Sequence, residues 1–457
     1  MGKYFGTDGI RGVANETLDA KLAFDVGVAA ATVLAGERKP RFVIGMDTRI
    51  SGDMLESAIS AGLCSAGADV VCLGTLPTPG VAFIASNFGF DAGIVISASH
   101  NPYEHNGIKI FSGDGLKLSD ELEAKIEESL DSGAHSEPKR NGDIGRVSRA
   151  DASGYIAKYI EHIRGSAELG PRRLKVLIDC ANGAASRTAR EVFSALPVDA
   201  EFISDEPNGV NINDGCGSTD TKRLRKLVVK GGFDIGIAFD GDADRCLAVD
   251  EKGGDITGDM IMAVCAMDMR EHGHLKNNAI AVTVMSNLGL HIFAREQGIR
   301  LHVTTVGDRF VLECMQKEEL CLGGEQSGHI IFTEDSTTGD GQLAAVKLLS
   351  VLSRCERAVS EQASVMINYP QVLRNIPIDG GNDMKQALMD DEVLRAEVSS
   401  AEAALGESGR ILVRQSGTEA LIRVMVEADT EERALGFAQT LANFVELRMR
   451  QLLTKSR

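Results

Sequence analysis

The densest run of chemically competent residues is Asp240-Gly-Asp-Ala-Asp-Arg245. Carboxylates at i, i+2 and i+4 on an extended chain project to one side and repel one another unless a cation lies among them. Ligands that are all oxygen favour a hard divalent ion, Mg2+ or a relative such as Mn2+, over zinc. Glu251 falls twelfth from Asp240, as in an EF-hand. The sixth position is Arg245 instead of Gly, however, and a strand-like run precedes the loop, so that reading is discarded. The bland alternative is a solvated acidic turn after a strand.

A second run, Ser97-Ala-Ser-His-Asn-Pro102, displays two hydroxyls on a loop, because Pro102 holds Asn101 extended and keeps a helix from starting at once. Either serine could be a nucleophile. Hydrolase chemistry finds no support: His100 is adjacent to Ser99, neighbouring side chains on an extended chain diverge, and no G-x-S-x-G frames the serine. With a magnesium loop expected elsewhere, phosphoryl transfer through a phosphoserine fits better, its oxygens supplying a ligand that three aspartates leave open. A turn-forming Ser-Asn-Pro cluster is the ordinary alternative.

Arg414-Gln-Ser-Gly-Thr-Glu419, followed by Arg423, gathers two guanidinium groups, two hydroxyls and a glycine-permitted turn, a composition suited to a phosphate dianion. A hairpin turn with solvated arginines competes with it. Gly339-Asp-Gly-Gln-Leu-Ala344 matches a loose dinucleotide fingerprint, but a polar stretch separates it from the preceding apolar run. Helix initiation into 344–352 is expected there instead. No G-x-x-x-x-G-K-[ST] occurs, so nucleotide-dependent kinase chemistry has no support.

Three segments that could position these loops share one pattern: an apolar run, a polar turn, an amphipathic helix and a second apolar run, beginning near Arg41, Leu174 and Ala279. Such units are βαβ crossovers and imply parallel sheets with helices on both faces. A further apolar run follows each unit and ends in polar residues: Ser97 to Asn101 after the first, Asp240 after the second, Gly323-Gly-Glu-Gln-Ser-Gly-His329 after the third. Ligands of open parallel sheets bind beyond the carboxyl ends of strands, so these three loops are the expected chemistry. Ile411 to Val426 reads as two strands around a polar loop, and a helix is expected from about Glu431 to Leu453. The expected domains are therefore 1–150, 151–253, 254–369 and 370–457, three related α/β domains and a smaller α+β one.

A chain of 457 residues with 43% hydrophobic and 25% charged composition is a globular protein of several domains. Its net charge of −18 argues against nucleic acid and anionic membrane as partners. Nine scattered Cys with no C-x-x-C fit a reducing cytoplasm, without a zinc site or disulfide framework. No apolar run approaches the roughly 18 residues of a spanning helix, and export or anchoring is not expected.

Together these motifs resemble the α-D-phosphohexomutase superfamily along essentially the whole chain. The resemblance is carried by Tyr4-Phe-Gly-Thr-Asp-Gly-Ile-Arg-Gly12, the loop around Ser99, Asp240 to Arg245, Gly324-Glu-Gln-Ser-Gly-His329 and Arg414 to Thr418. It implies three related α/β domains and a TBP-like C-terminal domain around a central cleft. The opening motif, the Gln of Gly-Glu-Gln-Ser-Gly-His and Val306-Gly-Asp-Arg309 are most similar to the bacterial branch that interconverts glucosamine 6-phosphate and glucosamine 1-phosphate. Gly307, Asp308, Arg309, Glu325 and Ser327 would then contact the sugar, and Arg414, Ser416, Gly417, Thr418 and Arg423 the distal phosphate. Phosphorylated Ser99, with Asp240, Asp242 and Asp244, would hold one Mg2+. His100 and Lys109 would serve proton transfer and charge stabilisation beside Arg11 and Arg245, with His329 as base for the other substrate orientation. A glucosamine or glucose 1,6-bisphosphate would be the intermediate and activator, hexosamine phosphates the partners, and the chain a monomer or homodimer. Gln415 and Ala420 depart from the family, which usually has proline there. Competing readings are a mannose- or glucose-phosphate mutase of the same fold, a non-catalytic sugar-phosphate sensor and a phosphatase.

Overall fold

Three times along the chain, runs of apolar residues with intervening amphipathic helices build the same four-stranded motif. The computed structural model describes residues 2–6, 8–35, 38–133, 137–379, 381–416 and 420–455. β1 (Phe5–Gly6), β2 (Gly9–Val13) and α1 (Ala20–Leu34) precede the first repeat, which runs β3 (Arg41–Met46), α2 (Gly52–Ser65), β4 (Asp69–Thr75), α3 (Thr78–Asn87), β5 (Ala92–Ile96) and β6 (His105–Ser112). After α4 (Asp120–Ser132) and β7 (Val147–Ser148), the sheet order is β1-β2-β6-β5-β3-β4-β7. The second repeat follows α5 (Ala152–Gly165) and runs β8 (Lys175–Asp179), α6 (Ala185–Ser194), β9 (Asp199–Ile203), α7 (Lys222–Gly231), β10 (Ile235–Phe239) and β11 (Cys246–Asp250), with β12 (Asp255–Ile256) at its edge. The third follows α8 (Gly258–Glu271) and runs β13 (Ala279–Thr283), α9 (Leu288–Gln297), β14 (Arg300–Thr304), α10 (Asp308–Lys317), β15 (Leu322–Gly324) and β16 (Ile330–Phe332), leading to α11 (Gly341–Leu352) and α12 (Val359–Ala363).

The strand order within the repeats is the same: β4-β3-β5-β6, β9-β8-β10-β11 and β14-β13-β15-β16. The first three strands in each are parallel and the fourth is antiparallel to its neighbour. The sheets are thus mixed instead of purely parallel, because each third strand turns straight back. Residues 97–104, 240–245 and 325–329 form these three turns, so one joint of the motif carries all three polar loops. In the first sheet, alternation along the strands sends Phe42, Ile44, Ile94 and Ile96 into a core with α1, α2 and α4. The opposite face, including Gly45 and Gly93, lies against Val81 of α3. Asp340 caps α11 by accepting the Leu343 N–H, so the Gly339–Ala344 run is a helix start, as expected.

The chain divides into two compact units, Met1–Met285 with Gly298–Val365, and Ser286–Gln297 with Met366–Arg457. The second contains α9, β17 (Gln371–Pro377), α13 (Gly381–Met389), α14 (Glu392–Leu405), β18 (Gly409–Gln415), β19 (Leu421–Ala428) and α15 (Glu431–Lys455). Its antiparallel sheet, β17-β19-β18, buries Ile411, Ile422, Val424 and Val426 against the C-terminal helices. Within this unit the fully buried Glu427 carboxylate accepts from Asn287 Nδ2 (3.1 Å), the Leu288 N–H (3.1 Å), Gln371 Nε2 (2.8 Å) and Arg410 Nε (2.9 Å). Glu427→Ala should therefore destabilise this unit by about 3–5 kcal/mol, since it strands a partly buried guanidinium and three other donors. Urea unfolding measures it, and a loss below about 1 kcal/mol would show that water replaces the carboxylate readily.

Candidate active site

Ser99 occupies the β5–β6 turn with a left-handed φ of 51°. Its Oγ donates to Asp240 Oδ2 at 2.6 Å and lies 3.4 Å from His100 Nδ1. Two expectations change here. The hydroxyl is buried instead of displayed, because the β10–β11 turn covers it. The Ser99 and His100 side chains meet instead of diverging, because the backbone is not extended at Ser99. Ser97 Oγ is committed elsewhere, donating to Asp47 Oδ2 (2.6 Å) and accepting the Ser99 N–H (2.9 Å).

Asp240, Asp242 and Asp244 converge through a turn, not through strand alternation. Ala243 is left-handed (φ 56°) and its N–H closes the turn on the Asp240 carbonyl at 3.0 Å. One oxygen from each carboxylate lies within 4.8 Å of the others, and all three residues are buried. Burial, then the charges of Asp244 and Asp242, push the Asp240 carboxyl well above its ordinary range. Asp242 Oδ2 accepts from Thr78 Oγ1 (2.7 Å) and Lys109 Nζ (2.9 Å), whereas Asp242 Oδ1 and Asp244 Oδ1 are buried with no hydrogen-bond donor among the described residues. Orphaned anionic oxygens in a set without nitrogen or sulfur fit a hard divalent cation. Gly241 lets the two loops touch: a Cβ there would lie 2.5 Å from the Ser99 carbonyl oxygen and 2.8 Å from Asn213 Nδ2.

Cations surround these acids. Lys109 Nζ, buried, reaches Asp242 (2.9 Å), Asp8 (3.0 Å) and Asp244 (3.6 Å). Burial disfavours its charge, but Asp242, Asp8 and Asp244 outweigh that and hold the ammonium well above its usual range. Lys117 Nζ bridges Asp8 (2.7 Å) and Asp308 (2.6 Å), and Arg11 also pairs with Asp8. Arg245 Nε stands 3.8 Å from Asp244 and 4.0 Å from Asp240. Burial, then Arg245 and Arg11, depress His100 to about 4, so its imidazole is neutral near pH 7. His329 is buried with Nδ1 3.7 Å from Asp244 Oδ2, and its Nε2 accepts the Gly339 N–H at 3.1 Å. That hydrogen bond places the ring proton on Nδ1.

In the loop expected to bind sugar, Glu325 accepts the Gly307 N–H at 3.1 Å, whereas Ser327 is exposed. Asp308 pairs with Lys117, and Arg309 with Asp120 and Glu313, so neither has its charged group to itself. A cavity of about 450 Å3 is lined by Lys109, Lys117, Gly307, Asp308 and Arg309 among others. In the second unit, Arg414 faces Arg423 directly across β18 and β19. Burial and Arg423 together lower the Arg414 pKa, the mark of a like-charged pair suited to an anion. Ser416 is buried beside them, and Gly417 and Thr418 lie outside the described residues. Sequence reasoning missed Lys117 and Thr78, which no local pattern marks, and passed over Asp8 inside a motif it had quoted.

Four domain models of one family match in order. They are the phosphoglucomutase/phosphomannomutase alpha/beta/alpha domains I (residues 2–137), II (157–254) and III (257–369) and the C-terminal domain (375–444). The chain belongs to the phosphoglucomutase/phosphomannomutase family. The phosphoglucosamine mutase of Clostridium tetani is 48% identical over 98% of this chain and 99% of its own, and that of Thermoanaerobacter pseudethanolicus 46% over 98% and 100%. Among solved structures, a phosphoglucomutase/phosphomannomutase family protein from Burkholderia thailandensis has a TM-score of 0.81 at 23% identity, covering 98% of both chains. An Aspergillus fumigatus N-acetylphosphoglucosamine mutase in complex with GlcNAc-6P and magnesium has a TM-score of 0.65 at 18% identity, covering 96% of this chain and 95% of its own. These two likenesses establish the family fold. Among the described residues no helix is long and apolar enough to cross a membrane.

Two predictions follow from this geometry. Gly241→Ala should push the Ser99 and Asp240 loops apart and lower kcat by about 100-fold, as misplacement of reacting groups does. Near-normal steady-state turnover would show that the loops slide without loss. In protein free of phosphate at Ser99, the His100 ring should remain neutral down to about pH 5, with its C2 proton shift flat from pH 8 in NMR titration. Because its folded pKa lies below the ordinary 6.5, the unfolded chain binds the extra proton between about 6.5 and 4, and His100 lowers stability on acidification through that window only. A ring titrating near 6.5 would contradict the burial and charge argument.

Proposed function

We propose that this chain is a phosphoglucosamine mutase, interconverting glucosamine 6-phosphate and glucosamine 1-phosphate through a phosphoserine at Ser99. The observation that carries the reading is the buried Ser99 hydroxyl resting on Asp240 within a triad of carboxylates. The full-length likeness to phosphoglucosamine mutases supports the substrate. A magnesium ion held by Asp240, Asp242, Asp244 and the Ser99 phosphate would offset charge on the phosphoryl group in transit. We read the chain as domains 1–150, 151–253, 254–369 and 370–457. Nine free cysteines support a place in the reducing cytoplasm.

In the first half-reaction a substrate hydroxyl attacks the phosphorus on Ser99. The Ser99 Oγ–P bond breaks, the attacking hydroxyl gives up its proton as the 1,6-bisphosphate forms, and the leaving Ser99 Oγ takes one up. In the second, the other sugar O–P bond breaks and the freed sugar oxygen takes up a proton, while Ser99 Oγ accepts that phosphoryl group and gives up its own proton. Neutral His100, 3.4 Å from that oxygen, is the group suited to exchange the proton. Lys109 keeps its proton under three carboxylates and acts through charge. His329, with Nε2 occupied by Gly339, suits orienting Asp244 better than accepting a proton at that atom. Glu325, Ser327 and the stretch Gly307 to Arg309 are our sugar-binding set. Arg414, Ser416 and Arg423, with Gly417 and Thr418, are our phosphate-binding set.

Intact-mass and peptide spectrometry should find a single phosphate, on Ser99, that a sugar 1,6-bisphosphate increases. Ser99→Ala should lose mutase activity by several orders of magnitude. The highest kcat/KM should belong to the glucosamine phosphates over glucose and mannose phosphates. Phosphate on Ser97 alone, or wild-type turnover in Ser99→Ala, would sink the phosphoserine assignment, and a preference for mannose or glucose phosphates would move the substrate.

A further inference from the structure

We propose that Arg49 and Asp47 are positioning residues of the transfer reaction, joined by Ser97 into one buried clamp that fixes the backbone of Ser99 from both sides. This rests on the reading of Ser99 as the phosphoryl carrier. A guanidinium has five N–H donors in a rigid plane, and Arg49 uses all five. Nε donates to Asp47 Oδ2 at 2.9 Å. Nη1 donates to the carbonyls of Pro102 and His105, the latter at 3.0 Å, and Nη2 to those of Ser99 (2.9 Å) and Asn101 (2.8 Å). Four of its five bonds therefore end on the seven residues from Ser99 to His105. Neither the Arg49 nor the Asp47 side chain has any exposed surface.

The clamp closes through a single oxygen. Asp47 Oδ2 accepts both from Arg49 Nε and from Ser97 Oγ (2.6 Å), and Ser97 Oγ in turn accepts the Ser99 N–H (2.9 Å). Asp47 Oδ1 accepts the Arg49 N–H at 3.0 Å. The N–H side of Ser99 is thus held by Ser97 and its carbonyl side by Arg49, with Asn213 Nδ2 adding a second donor to that carbonyl at 3.0 Å. Since the peptide unit is planar, holding both flanking peptides holds φ and ψ of Ser99 in the left-handed conformation that brings Oγ to Asp240. A buried ion pair is seldom the most stable way to fill a core, whereas it fixes geometry well when every donor is used. The reaction gives that geometry a use: Ser99 must offer its oxygen at one place in two successive transfers, although the loop carries a phosphate dianion in one state and a neutral hydroxyl in the other. None of the hydrogen bonds of Arg49 goes to Asp240, Asp242 or Asp244, so its influence on the chemistry passes through Ser99.

The test is single-turnover transfer from phospho-Ser99 to glucosamine 6-phosphate, with the rate constant normalised to the phosphorylated fraction counted by intact mass. Arg49→Lys keeps the charge but cannot reach four carbonyls, and should slow the normalised rate about 100-fold, with KM within about twofold of wild type. Ser97→Ala removes only the N–H side of the clamp and should slow it about 10-fold, while Ser97→Thr, which keeps the hydroxyl, should restore most of the rate. If Arg49→Lys does not fold, the two Ser97 variants decide. Normalised rates within twofold of wild type in Ser97→Ala would overturn the proposal, as would a loss of activity that tracks only the fraction of molecules able to be phosphorylated. Wild-type protein that carries and transfers no phosphate at Ser99 would instead overturn the phosphoserine reading itself.

Discussion

Three carboxylates, Asp240, Asp242 and Asp244, share one buried turn, and they cannot all be ionised there without compensating positive charge. Lys109 supplies part of it from β6, and Thr78, at the start of α3, fixes which oxygen of Asp242 faces the lysine. The two remaining orphan oxygens are left for a cation. Lys109 is itself shared with Asp8, which needs Lys117 and Arg11, and Lys117 is shared with Asp308 of α10. A local excess of negative charge is thereby spread along a chain of ion pairs that runs from the first sheet to the third. Each member is stable only because the next is present.

The repeated motif explains why so many charged groups can converge. The return turn after the third parallel strand is a joint where a strand end, a loop and a reversed strand meet, and the backbone there is free of ladder constraints. The chain uses that joint three times, for Ser99, for the three aspartates and for the loop that holds Glu325 and His329. This part of the architecture was legible in the sequence because apolar runs with period two and helices with period 3.6 record which faces are buried. The third unit shows it well, since the apolar run expected to begin near Ala279 is β13, which starts at Ala279. The polar turns were legible because the clustered Asp, Ser and His stand at the carboxyl ends of apolar strands, where ligands of such sheets bind.

Long-range partnership was not legible. Arg49, Thr78 and Lys117 lie in ordinary-looking stretches, and their importance comes from acceptors 50 to 191 positions away. The same blindness led to the wrong geometry at Ser99. Reasoning from an extended strand makes Ser99 exposed and keeps it from His100, whereas tertiary hydrogen bonds hold it in a conformation that L residues rarely adopt. The aspartates converged for a reason the sequence pattern did not give: a left-handed Ala243, not strand alternation, turns them together. In both loops the right residues were found by chemistry, while their arrangement depended on neighbours that chemistry alone does not indicate.

The division of labour among the cations gives a further reason for the site's composition. Lysines carry the permanent pairs: Lys109 and Lys117 each bind two or three acids at close range and are saturated by them. Arg11 and Arg245 are less fully used. Arg245 approaches Asp240 and Asp244 only at 3.8 to 4.0 Å, and the buried Nε atoms of Arg245 and Arg11 donate to nothing among the described residues. A compact ammonium suits a fixed acid, whereas a planar guanidinium with donors in reserve can take up phosphate oxygens without releasing its existing partner. Burial first, then Arg245 and Arg11, keep His100 neutral in this state, and a phosphate dianion at Ser99 would weaken the arginines' share by neutralising them.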